Sequence, residues 1–232
     1  MKRKIVFSFF IGLSWAIMPE MSYAQEYAYE CGAIGGISFY MGDANRSRIF
    51  LNPGAAVGGI YRYNINFHWA IKSDLLAGTI SGNTADSQNV FPSNAQASFK
   101  RTFAELGGQI EFNFLPYSDK YSYLGTKPYA PYLFAGLGAT VATGDQPFFN
   151  ANIPIGIGFK YKLRNRFNLG LEFSMRRLFG DNFDAPDKNQ DFSLDAPYGI
   201  KSSVLKNQDW YSLTLVFITW EFGLKDDPCH GM

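Results

Sequence analysis

Ten charged side chains pose the first chemical question. Arg62, Lys72, Lys160, Lys162 and Arg176, with Glu30, Asp74, Glu105, Glu111 and Glu172, all fall on the polar phase of segments that alternate polar and apolar residues. Carboxylates beside cations can transfer protons when an acid, a base and an accessible substrate accompany them. They can equally neutralise one another in a dry interior, where a lone charge is costly and a paired, hydrogen-bonded set is tolerated. The rest of the sequence favours the second reading. Its only histidines are His68, in a tight turn, and His230, two residues from the end. Neither lies at the outer rim, where a small membrane barrel enzyme would place a His beside a Ser and an acid. His230 beside Cys229 offers too few ligands for a metal. "SFYMGDAN", residues 38–45, shows too few oxygens for calcium and has the composition of a turn. "LPYSD" and the "GLG" at 136–138 complete no phosphate-binding fingerprint. No enzymatic activity and no cofactor is expected.

The elements that position these charges are strands. In "IPIGIGFKYKLRNRFNLGLEFSM", residues 153–175, apolar side chains occupy the odd positions on both sides of a basic break at Arg164-Asn165-Arg166. Strict alternation of this kind marks a strand with two unlike faces. Eight such segments recur, at about 27–41, 55–64, 68–80, 99–114, 131–142, 150–162, 167–178 and 210–223. Each is long enough for the ~9–11 tilted residues that cross a bilayer as a strand. The eighth, "WYSLTLVFITWEF", is apolar on both faces in its first half, which suggests a bulge there.

Tight connections follow segments 2 and 6, while long polar ones follow segments 1, 3 and 7. "LPYSDKYSYLGTKPYA", between segments 4 and 5, is long for its side and is either a partner-facing feature or an idle loop. The apolar parity gathers Tyr27, Tyr29, Tyr61, Tyr63, Trp69, Phe112, Phe114, Tyr161, Phe167, Trp220 and Phe222 at one level, as an interfacial girdle would. The opposite parity holds the charges and many glycines. The expected fold is therefore all-β: an eight-stranded antiparallel transmembrane outer-membrane β-barrel with short periplasmic turns and long extracellular loops. The ten charges then form a lumen ion-pair network, and the lumen is a plug.

Compartment follows from the ends of the chain. A basic head, an apolar run from Ile5 to Met18 and Ser22-Tyr23-Ala24 before Gln25 form a signal peptide over residues 1–24. The barrel then covers 25–224 and a periplasmic tail 225–232. A formal net charge of +1 gives no case for nucleic acid. Cys31 and Cys229 are the only cysteines. They could bond internally across the closure of strands 1 and 8, or Cys229 could link a periplasmic partner by a disulfide.

The runs "FYMGDAN", "GGIYRYNINFHWAIKSDL", "FAELGGQIEFNFLPY", "PYLFAGLGATVA", "IPIGIGFKYKLRNRFNLGLEFSMRRLFGD" and "WYSLTLVFITWEFG" resemble, in order, the PorG-like family of outer-membrane barrels from Bacteroidota. The resemblance implies a non-enzymatic subunit of the type IX protein secretion system. It further implies outer-membrane lipid as surroundings, and a periplasmic lipoprotein with its ring partner as the assembly that the barrel anchors. The alternative is a stand-alone small barrel whose extracellular loops adhere to a surface or bind a ligand.

Overall fold

The computed structural model describes residues 27–41, 52–83, 98–119, 124–143, 148–163, 166–179 and 209–224. The signal peptide, the tail with Cys229 and most of the long loops lie outside the described residues. Eight strands follow in order: β1 (Tyr27–Met41), β2 (Gly54–Asn64), β3 (Trp69–Asn83), β4 (Ser98–Asn113), β5 (Tyr129–Thr143), β6 (Phe148–Lys162), β7 (Phe167–Leu178) and β8 (Trp210–Leu224). Each pairs antiparallel with its neighbours, and β1 pairs with β8 from Tyr27↔Leu224 to Met41↔Trp210, closing a barrel with no free edge.

The two-residue period sorts the side chains. β4 alternates exposed and buried positions along nearly its whole length, with Glu105, Gln109 and Glu111 in and Leu106, Gly108 and Ile110 out. The outer face is a continuous apolar belt. Leu137 is 70% exposed and Val57 65%, with Leu75, Leu106, Ile155, Ile157 and Leu171 similarly bare. A soluble monomer rarely leaves a contiguous apolar surface of this extent. Aromatic rings cluster at the end of the barrel that carries the tight turns. Tyr29 stacks with Tyr61 and Phe222, and Trp69 packs on Phe112. Tyr27 departs from the expected girdle: it is buried, with the Arg166 guanidinium 4.8 Å from its ring centroid.

The pairing of β8 runs without interruption through its first half on both sides, so the bulge expected there is absent; the one gap in the β1 register lies at Gly223, which has a φ of 73°. The strand reads as apolar on both faces because its inward residues Tyr211, Leu213, Leu215 and Phe217 belong to an apolar cluster inside the barrel. That cluster fills the loop-end part of the lumen with Ile80, Phe99, Phe103 and Phe148. Inward glycines make room for large rings from the next strand. A Cβ on Gly156 would lie 2.5 Å from Phe134 Cζ, and one on Gly158 the same distance from Tyr132 Oη.

The turns are locally encoded. In the β2–β3 turn the Asn66 Oδ1 accepts from the backbone N–H of His68 (2.9 Å) and Trp69 (2.8 Å), the local bonding that favours Asn in turns. In the β6–β7 turn Arg166 takes a left-handed conformation with φ of 72°. The Leu163 N–H donates to the Phe167 carbonyl (2.7 Å) to close it.

Candidate functional site

The turn-end half of the lumen carries most of the charged chemistry, and Arg62 on β2 is its hub. Register sets Glu30 of β1 directly beside Arg62, and Lys72 of β3 on its other side. The Arg62 guanidinium lies 2.5 Å from Glu30 and 2.8 Å from Glu111 on β4. Glu172 of β7 is 3.9 Å away across the barrel. Lys72 donates to both Glu172 oxygens at 2.8 Å and sits 3.6 Å from Glu111. Lys160 of β6 lies 3.5 Å from Glu111. Hydroxyls and amides fill remaining lone pairs: Thr219 and Asn64 each donate to Glu30 at 2.9 Å, and Tyr132 donates to Glu172 at 2.6 Å. Aromatic faces cover the cations, with Lys72 Nζ 4.1 Å from the Phe134 centroid and Arg62 5.1 Å from that of Phe217.

Two smaller groups flank this hub. Lys162 pairs with Glu221 at 2.9 Å and with Asp119 at 3.5 Å, while Asn168 donates to Glu221 at 3.0 Å. Towards the loop end, Arg176 donates to both Glu105 oxygens (2.9 and 3.0 Å), and Tyr211 donates to the same carboxylate. Asp74 stands apart from the expected ion pairs. Among the described residues its carboxylate accepts from Gln109 Nε2 at 2.6 Å and has no cation within ion-pair distance. The Asp74 and Lys72 side chains share a strand face, yet Lys72 is drawn across to Glu172.

All ten charged residues singled out in the sequence are buried, and Glu30, Arg62, Lys72, Glu111 and Lys160 have no accessible surface. A water-filled bore would wet them. Among the described residues no three His, Cys, Asp or Glu side chains converge to hold a metal ion, and His68 Nδ1 lies 2.8 Å from the Asn113 carbonyl oxygen.

Glu221 and Tyr117 complete the site without having been singled out in the sequence. Glu221 sits between Trp220 and Phe222 in "TWEF", and its polar parity was the available signal. Tyr117 belongs to the β4–β5 connection, where no period exists to read. This connection folds back over the turn-end mouth. Ser118 N–H donates to the Lys127 carbonyl (3.0 Å) and Lys127 N–H to that of Pro116 (2.8 Å), while Lys162 N–H donates to that of Pro128 (2.7 Å). Tyr117 is fully buried, donates to Asn168 Oδ1 at 2.6 Å and lies under Lys160 and Lys162, 4.9 and 5.5 Å from its ring centroid. Burial, reinforced by Glu30 and Glu221, pushes its phenol well above the usual range, so it stays a donor. Cys31 is a free, exposed thiol on the outer face of β1.

Residues 7–232 match a protein family described as a domain of unknown function (DUF6089). No curated protein matches the chain in sequence. Among solved structures it is similar to Neisserial surface protein A, with 13% identity, 85% of this chain and 98% of that chain covered, and a TM-score of 0.47. It is also similar to Ail, the attachment invasion locus protein of Yersinia pestis, with 9% identity, 86% and 99% covered, and a TM-score of 0.43. The N-terminal β-barrel domain of Pseudomonas aeruginosa OprF gives 14% identity, 85% and 98% covered, and a TM-score of 0.41.

Proposed function

The chain belongs to that family of unknown function, DUF6089, and we propose that it is a non-enzymatic outer-membrane barrel that anchors other proteins at its rims and conducts nothing through its lumen. One observation carries this reading: charge is turned inward into a buried, ion-paired interior while a bare apolar belt with an aromatic girdle faces out. That inversion suits a hydrocarbon surround, where a closed barrel satisfies every backbone group internally. With the bore filled, contact with other molecules falls to the two ends. The folded β4–β5 connection gives the turn end a defined surface rather than a bare turn.

On the resemblance to the PorG-like barrels, the partners at the turn end are the periplasmic lipoprotein and ring protein of type IX export. The test is a mild-detergent pull-down of the tagged barrel from outer membranes, run without reductant. Co-recovery of a periplasmic lipoprotein and its ring partner, with loss of exported cargo on deletion, supports the anchor. Recovery of the barrel alone, with secretion intact and adhesion altered, would replace it by the stand-alone surface barrel.

A further inference from the structure

The outer belt is not uniform around the barrel. Along β3 the outward positions run Trp69, Ile71, Ser73, Leu75 and Ala77, then change to Thr79, Ser81 and Asn83. On β4 the partners of the last three are Thr102, Lys100 and Ser98. The two strands therefore end in a ladder of cross-strand polar pairs just above the apolar belt. On β6, by contrast, the outward Phe149 near the loop end is 75% exposed. At that height β6 presents an aromatic ring where β3 and β4 present polar groups.

At this spot β2 stops short at Gly54, and Asn52, held at a φ of 53°, walls a cleft of about 270 Å³. Its lining is Asn52, Ser81, Gly82, Asn83, Ser98, Phe99 and Lys100. The chemistry is hydroxyls, carboxamides and a single cation, with no carboxylate in the lining. Among the described residues nothing pairs with the Lys100 ammonium. Hydroxyl and amide groups match the alternating donors and acceptors of a sugar, and a lone ammonium seeks a phosphate. The height is equally informative. The cleft opens where apolar side chains give way to polar ones, the level at which lipid headgroups meet a membrane barrel.

We propose that this cleft binds the phosphorylated sugar headgroup of an outer-leaflet glycolipid, with Lys100 on the phosphate and Ser81, Asn83 and Ser98 on the sugar. The inference rests on the membrane reading above and adds a lipid to it. Lys100 is exposed and pairs with no side chain among the described residues, so its removal is expected to leave the barrel intact.

The test uses the full barrel in mild detergent, with lipid A, dephosphorylated lipid A and inorganic phosphate as separate probes, read by native mass spectrometry. The wild type retains lipid A and loses it in part when the phosphates are removed. Lys100→Ala weakens retention about tenfold, the scale of one charge-assisted hydrogen bond. Lys127→Ala, at the opposite end, leaves retention unchanged. A Ser81→Ala/Ser98→Ala variant, which keeps the cation, weakens lipid A and its dephosphorylated form alike. Equal retention by Lys100→Ala and wild type would overturn the proposal, as would displacement of lipid A by equimolar inorganic phosphate, which would mark a free-anion site. Flotation of the wild type with phospholipid vesicles lacking glycolipid is run alongside. Failure to float would sink the membrane reading itself, whereas floating without lipid A retention would sink only the cleft.

Discussion

The two ends of the lumen are both buried and are held by different physics. At the turn end, Arg62 and Lys72 share Glu111 and Glu172, Arg62 also holds Glu30, and Lys160 adds a third cation beside Glu111. At the loop end, Ile80, Phe99, Phe103, Leu213, Leu215 and Phe217 fill the same cross-section by shape. The Arg176–Glu105 pair, capped by Tyr211, joins the two regimes, and Arg101 and Asp209 are also buried near the loop end, Asp209 accepting from Tyr40 Oη at 2.8 Å. An apolar filling tolerates exchange of like for like, because burial is non-directional. An ionic filling does not, because removing one member strands the others without water. The turn end should therefore specify closure register, and the loop end should supply adaptable bulk.

The largest effect is expected at the hub. Arg62→Leu leaves Glu30 and Glu111 facing each other without the guanidinium and should cost about 3–5 kcal/mol, the range for breaking a buried ion pair. Urea titration of barrel refolded into vesicles reads this, and a cost within experimental error would dissolve the contrast between the two ends. Next comes the outer face. Leu137→Arg, at a bare position in the middle of β5, should cost about 2–4 kcal/mol in a bilayer, the range for a cation at the midplane. No penalty in vesicles would remove lipid as the surround. Tyr117→Phe strips the donor from the buried Asn168 oxygen and should cost about 1–3 kcal/mol. Its signature is faster proteolysis within the β4–β5 connection while the strands stay protected. The smallest effect belongs to the apolar end: Leu215→Met, fully buried, should cost under about 1.5 kcal/mol. A larger loss there would show that both ends are equally exacting.

How far the sequence revealed this depends on where information is stored along the chain. Strands were legible because in/out alternation is a local record of two different surroundings, and Glu105, Glu111 and Glu172 announced their inward parity directly. Which charge meets which was not legible. Lys72 reaches Glu172 one hundred residues away, a contact created only when β1 closes on β8. The same closure leaves Asp74 with Gln109 instead of a cation. The apolar inner face of β8 imitated a bulge, since a strand serving two apolar surroundings loses its alternation. Tyr117 was hidden in a connection, where burial follows from the path of the chain and not from any period.

The claim at the centre is a filled barrel spanning a bilayer, and its most direct test is electrical. Purified barrel is inserted into a planar bilayer, with insertion verified independently by vesicle flotation and protease protection of the strands. The account predicts an inserted protein that gives no stable conductance steps, because Arg62, Lys72, Glu111 and Lys160 leave no room for a water column. Reproducible single-channel steps from the inserted wild type would contradict it and return the lumen to the list of transport paths.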